Sequence, residues 1–150
     1  MKKFLSMLLS GVLIFSLASC GGEKSFDATA IFHDLMETPG VFSGGLEEVD
    51  QATACALYGI DEATVTGCLV YMANATSADE LAIFTLSDED AAQTAAKQLG
   101  YRVEDQKESL ADYLPGETSK LEGAIVETRG NSVLLLICSD YDAAKAVLEK

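Results

Sequence analysis

Ser87-Asp88-Glu89-Asp90-Ala91-Ala92 returns 52 residues later (139 − 87 = 52) as Ser139-Asp140-Tyr141-Asp142-Ala143-Ala144. This repeat decides the reading of the fold. Each copy follows an apolar run, residues 81–86 and 133–138. Each of those follows another apolar run that begins after a glycine, residues 68–73 and 124–128. The implied unit is strand, turn, strand, cap, helix, used twice. Ser or Asp at a helix N-cap accepts backbone N–H bonds, and acidic groups in the first turn favour the positive end of the helix dipole. A metal site is the alternative reading of each acidic cluster. Two matching caps account for both clusters without an ion.

The strands carry further information. Cys68, Val70 and Met72 alternate with Leu69, Tyr71 and Ala73, and Leu81 and Ile83 alternate with Ala82, Phe84 and Leu86. Residues 133–138 are apolar throughout. Strands apolar on both faces need cover on both faces. The two repeat helices are expected to cover one face, and the N-terminal helices or a partner chain the other. Gly130-Asn131 is a tight-turn signal between the last two strands, and connections this short imply antiparallel hairpins.

Residues 26–37 read as a first helix, with Ile31, Leu35 and Met36 near helical spacing. Thr38-Pro39-Gly40 ends it, and residues 42–45 form a loop. Residues 51–58 read as a second helix capped by Asp50 and closed by Gly59. In the first repeat helix, Ala92, Ala96, Leu99, Val103, Gln106, Leu110 and Tyr113 follow a spacing of three and four, a stripe expected to face the sheet. Gly100 weakens that helix by about 1 kcal/mol relative to alanine, which leaves room for a bend or a break there. Leu114-Pro115-Gly116 stops it. Gln106, the polar member of the stripe, is expected near its edge. The expected fold is α+β, a four-stranded, mainly antiparallel sheet from two β-β-α units with the N-terminal helices packed on it.

Ahead of this domain stand Lys2 and Lys3, an apolar run over residues 4–18, and Leu17-Ala18-Ser19-Cys20. A basic start, an apolar stretch of about 7–15 residues and small residues at a cut make a secretory signal. A membrane-spanning helix needs about 20 apolar residues, and this run stops at Ser19-Cys20-Gly21-Gly22. The Leu-small-small-Cys pattern resembles the lipobox of bacterial lipoproteins, in which the cysteine thiol accepts a diacylglyceryl group before cleavage. The expected division is a signal peptide over residues 1–19, a lipidated Cys20 with a short tether over 20–25, and one α+β domain over 26–150. Two acyl chains give stable anchoring where one is marginal. Five tether residues reach at most about 18 Å. The expected location is the extracytoplasmic face of the cell membrane, held there by lipid.

Removal of residues 1–19 leaves all 24 acidic residues and eight of the 10 basic ones, a formal charge of 8 − 24 = −16. Such a balance argues against nucleic acid and against adhesion to anionic headgroups. Cys55, Cys68 and Cys138 match no metal-binding spacing of the CxxC type. Three buried free thiols are the expectation, with a Cys68–Cys138 disulfide as the alternative.

Candidate chemistry is sparse. His33 is the only histidine, and no local sequence supports its pairing with Cys55. No serine stands in a G-x-S-x-G elbow, and the Gly-Gly pairs form no phosphate loop. Asn74-Ala75-Thr76 matches a glycosylation sequon, a weak signal in a bacterial lipoprotein. Arg102 and Gln106, four apart on one helix face, are the weak candidates for a ligand. Arg102 has a structural reading as an ion-pair partner and a functional one as an anion binder. No catalytic residue, metal ligand or cofactor is expected.

Leu57-Tyr58-Gly59-Ile60, Glu80-Leu81-Ala82-Ile83-Phe84, Arg102 with Gln106, and Tyr113-Leu114-Pro115 occur in this order. In them the chain resembles small lipoproteins of Gram-positive bacteria, the domain of unknown function 4358 family. The resemblance implies a surface lipoprotein and transfers no activity. The expected function is a membrane-anchored, non-catalytic binding or assembly module whose protein partner lies near the membrane. A small-ligand receptor domain is the alternative, and an enzyme stands behind it.

Overall fold

The structure, a computed structural model, describes residues 24–150. Cys20 and the leader lie outside them. In chain order the elements are α1 (Ala28–Glu37), β1 (Leu46–Glu48), α2 (Gln51–Tyr58), a 3-10 turn (Glu62–Thr64), β2 (Val65–Ala73), β3 (Glu80–Leu86), α3 (Glu89–Ala111), α4 (Thr118–Glu122), β4 (Ile125–Arg129), β5 (Ser132–Ile137) and α5 (Tyr141–Leu148). The sheet is antiparallel throughout, in the order β1-β2-β3-β5-β4. It therefore has five strands, one more than expected. The additional strand, β1, lies on the β2 edge, with Leu46 opposite Ala73.

Both repeat clusters are helix caps. The Asp88 carboxylate accepts from the Ala91 N–H at 2.8 Å, and Asp140 accepts from Ala143 at 2.9 Å. Asp27 and Asp50 cap α1 and α2 in the same way. An aspartate cap is worth about 1 kcal/mol over alanine. Gly130, at φ 53°, supplies the left-handed residue that the β4–β5 turn requires.

The two repeat helices do not share a face. α3 and α2 cover Val70, Ala82, Phe84, Leu86, Val133 and Leu135. α5 and α1 cover Leu81, Ile83, Leu134 and Leu136 on the other side. The cause is the register between the copies. Even-numbered residues of β3 pair with odd-numbered residues of β5, as in Phe84 with Val133. The repeat offset is even, so equivalent residues such as Leu86 and Cys138 point to opposite faces. Each helix then packs on the side to which the apolar residue two before its capping aspartate points, Leu86 for α3 and Cys138 for α5. The expectation that both faces need cover is met. Leu81, Leu134, Leu135 and Leu136 are fully buried, and truncation of such a leucine to alanine costs about 2–5 kcal/mol.

α3 runs unbroken through Gly100 for 23 residues. Its buried positions are Ala92, Ala95, Leu99, Val103 and Gln106. Tyr113 lies beyond the end of the helix and is 70% exposed, not on the sheet-facing stripe. Gln106 is only 9% exposed, not at the edge. The glutamine sits inside because a buried carboxylate faces it.

Candidate functional site

That carboxylate belongs to Glu80, the first residue of β3, which is 1% exposed. Three side chains from two helices converge on it. The Tyr58 hydroxyl at the end of α2 donates to Glu80 Oε1 at 2.8 Å. From α3, Gln106 Nε2 donates to Oε2 at 2.9 Å, and Arg102 Nη2 lies 3.5 Å from the same oxygen. Burying a charge is costly unless it is paired and hydrogen-bonded, and here both conditions are met. Burial, reinforced by the charge of Glu80 and the bond to it, pushes the Tyr58 phenol well above the ordinary tyrosine range. Tyr58 is thus held as a neutral donor. Its ring also meets Phe84 edge-on at 5.5 Å.

Asp79, the preceding residue, holds the second half of the site. Consecutive residues at the start of a strand point in opposite directions, and Asp79 turns to α4 and the loop after Val41. Its Oδ2 accepts from the Ser43 N–H and hydroxyl, both at 2.6 Å. Its Oδ1 lies 3.0 Å from Lys120 Nζ. Lys120 also reaches Glu117 Oε2 at 2.8 Å and Ser43 Oγ at 2.8 Å. Glu117 accepts in addition from the Ala78 N–H at 2.9 Å. Burial works against the Lys120 charge, but its bonds to Glu117 and Asp79 prevail and raise its pKa. Burial likewise opposes the Glu117 charge, and the Lys120 and Ala78 bonds hold its pKa below the usual value. Tyr141 completes the corner. Its hydroxyl donates to the Lys120 carbonyl at 2.7 Å and accepts from the Cys138 N–H at 3.3 Å. Gly123 makes room for that ring: a Cβ there would meet the ring at 2.5 Å.

Asp79 and Glu80 thus anchor four separate segments, α2, α3, α4 and the loop at Ser43, to one end of the sheet. The chain enters at the other end. Phe26 N–H donates to Ser132 Oγ at 2.8 Å, Ser25 bonds Asn131, and Arg129 lies over the Phe26 ring. Ser132 pairs with Thr85, five residues along β3 from Glu80. At about 3.4 Å per residue the two ends stand roughly 17 Å apart.

Arg102 and Gln106, the two ligand candidates of the sequence, are brought together on Glu80. Arg102 takes the structural role of ion-pair partner. No sequence motif marks Tyr58, Asp79, Glu80 or Lys120 as a site residue. The available signal was Asp79-Glu80 set directly against an apolar strand that has no solvent face. His33 and Cys55 are not brought together. His33 is exposed on α1 and pairs with Glu37 at 3.2 Å, while Cys55 is buried under α2 on the other side of the sheet. Cys55, Cys68 and Cys138 are free thiols. Cys68 packs on the α3 side and Cys138 on the α5 side, so no bond joins them. Burial pushes Cys68 to about 11 and Cys138 to about 12. Among the described residues no group of three or more His, Cys, Asp and Glu is placed to hold a metal ion.

A family model described as a domain of unknown function, DUF4358, matches residues 41–138. The chain belongs to this family. No curated protein and no solved structure matches it. The DUF4358 match contains the whole sheet and the polar cluster from Ser43 and Tyr58 to Lys120, and Tyr141 lies just beyond it. It stops short of α1 and α5, the two helices that cover the second face. The segments in which the sequence resembles the family also converge in space. Tyr58, Glu80, Arg102 and Gln106 are one bonded cluster, and Leu114 lines the groove beside it.

Proposed function

We propose that this DUF4358 protein is a lipid-anchored module on the extracytoplasmic face of a Gram-positive cell membrane. There it binds or assembles with a protein partner and performs no chemistry of its own. The observation that carries the reading is the order of the leader. A basic pair, an apolar run and Leu17-Ala18-Ser19-Cys20 precede a five-residue polar tether. Diacylglyceryl on Cys20 would hold the domain within a few nanometres of the bilayer.

The polar cluster supports the non-catalytic half of the reading. General acid–base work needs a group that can exchange its proton near neutral pH. Tyr58 is pushed away from that range, Lys120 is held charged by two carboxylates, and both oxygens of Glu80 already accept bonds. These groups fasten α2, α3 and α4 to the sheet. The cluster also lies at the end of the sheet away from the tether, so an anchored domain would present that end outward. The small-ligand receptor reading has less to stand on. The groove beside Arg102 holds about 270 Å³, below the range of roughly 300–1,000 Å³ typical of small-molecule sites.

In-cell crosslinking followed by affinity recovery tests the proposal, with Cys20→Ala as control. A partner recovered with the anchored protein and lost with the control is expected. Equal recovery with both forms, or none above background with either, would overturn it.

A further inference from the structure

β4 is a terminal strand of the sheet, bonded to β5 in regular register from Ile125 to Arg129. The Leu86 N–H donates to the Asn131 carbonyl at 2.8 Å. In an antiparallel ladder every second pair is the bonded one, so Phe84–Val133 and Ala82–Leu135 are the bonded pairs of β3 and β5. Ser132, Leu134 and Leu136 therefore turn their backbone groups to β4, onto Arg129, Glu127 and Ile125. Val126 and Thr128 are left with N–H and C=O aimed away from the sheet. Among the described residues no loop, cap or turn bonds to them, and Val126 is 37% exposed.

The opposite edge of the sheet is blocked. β1 has three residues, two of them glutamates, and the stretch of β2 that it leaves bare is interrupted by an irregularity at Gly67. Short strands, charges and bulges are the usual means by which a sheet refuses a further strand. β4 is longer, has no bulge, and its two charged side chains, Glu127 and Arg129, bond each other at 2.7 Å. A second copy of the chain does not suit this edge. In the register that pairs Val126 with Thr128 twice, the two Glu127 side chains stand directly opposite, and like charges so placed are destabilising.

The flanks specify the strand that does. Val126 and Thr128 share the α3 face with their partners Leu135 and Val133, and Gln93 of α3 bonds Thr128 Oγ1 at 3.3 Å. Lys97 stands one turn along α3 from Gln93 on the same helix face. Among the described residues Lys97 makes no ion pair, whereas Arg102 and Lys107 of the same helix do. On the α5 side a cleft with an apolar floor of Ile125 and Leu148 runs beside β4, and Lys145 and Glu149 balance each other at its rim.

We propose that β4 receives an extended strand of a partner protein, antiparallel like every other neighbour in this sheet, in which acidic and apolar residues alternate. Backbone groups of the strand bond Val126 and Thr128, and its alternate side chains supply the specificity. Its acidic side chains lie on the α3 side, within the field of Lys97. Its apolar side chains lie on the α5 side, over Ile125 and Leu148. The inference rests on the reading of the domain as a binding module and adds where it binds and what it takes.

The test titrates the full chain in detergent micelles with acetyl-Val-Glu-Val-Glu-Val-amide and follows backbone amide NMR signals. The Val126 and Thr128 amides should shift and gain protection from hydrogen exchange. N-methylation of both glutamates, whose N–H groups face β4, should weaken binding at least tenfold. N-methylation of the central valine, whose N–H faces away, should leave it within about twofold. Lysine in place of both glutamates should weaken binding about fivefold, and Lys97→Glu about threefold with an unchanged thermal midpoint. Shifts mapped away from β4, equal losses from the two methylations, equal binding of the glutamate and lysine peptides, or no binding would overturn the proposal. So would a dimer joined through β4 in the absence of peptide. A partner recovered by crosslinking together with such a failure would leave the module reading standing and this edge excluded.

Discussion

The Tyr58 hydroxyl and Glu80 Oε1 lie 2.8 Å apart, and this one bond ties the end of α2 to the first residue of β3. Tyr58→Phe removes the donor and leaves the ring in place against Phe84. The expected loss is about 1–3 kcal/mol, the cost of stripping a buried polar group of its partner. A urea midpoint unchanged from the parent would show that Glu80 does not need the phenol.

Glu80 itself should matter more. Glu80→Ala leaves Tyr58, Gln106 and Arg102 without their common acceptor. Breaking a buried pair costs about 3–5 kcal/mol when the remaining charge is fully enclosed. Arg102 is 21% exposed, which places the expectation at the lower end. Glu80→Gln keeps an acceptor and should lose less. Denaturation of the three variants should rank Glu80→Ala as the least stable, and a reversed order of Glu80→Ala and Tyr58→Phe would refute the shared-acceptor account.

The Asp79–Lys120–Glu117 corner predicts how stability depends on pH. The folded pKa of Glu117 is lowered from its ordinary 4.5. Its contribution is therefore present above that value and is lost as pH falls through the folded pKa. The folded pKa of Lys120 is raised from 10.5. Its contribution is complete below that value and is lost as pH rises through the folded pKa. The pair alone thus gives a plateau between about pH 5 and 10 with a fall on each side. Lys120→Met should flatten both limbs in a series of urea melts. An unaltered pH profile in that variant would rule the corner out as their source.

Thiol reactivity follows from burial. With Cys138 pushed to about 12 and Cys68 to about 11, little thiolate exists at pH 8, and the thiolate is the nucleophile. Iodoacetamide should label both at least tenfold more slowly in the native protein than in urea, by intact mass. Masses with and without reductant should agree, because Cys68 and Cys138 lie on opposite faces of the sheet. Rapid native labelling of Cys138 would contradict its burial.

Gly123 offers a steric test. A methyl group there would run into the Tyr141 ring, which bridges the Lys120 carbonyl and the Cys138 N–H. Gly123→Ala should cost about 1–3 kcal/mol, the usual penalty of overpacking. Gly123→Ala in a Tyr141→Leu background should cost less, and equal costs in both backgrounds would dissociate the glycine from the ring.

Much of this fold was legible because local signals and burial agreed. The repeated Ser-Asp caps, the alternation in β2 and Gly130-Asn131 each name an element by a short-range mechanism. β1 was not legible. Leu46-Glu47-Glu48 carries two consecutive glutamates, a residue depleted in strands, and is a strand only because the β2 edge offers it partners. The placement of α3 and α5 on opposite faces depends on the pairing of β3 with β5, a long-range fact that neither copy of the repeat contains. Of the site, Arg102 and Gln106 were visible as a pair four apart. Their partner was hidden for the same reason: Glu80 reads as one acid among 24 until the sheet buries it beneath α3. Tyr113, placed on the helical stripe by spacing, is exposed because the helix has ended before it.

Lipid on Cys20 is what would hold the domain at the membrane, and the mass of the N-terminal peptide of the protein from cell membranes tests this most directly. A chain that begins at Cys20 and carries a thioether-linked diacylglyceryl group is the predicted result. A chain that retains Met1, or one cleaved with an unmodified cysteine, would contradict it.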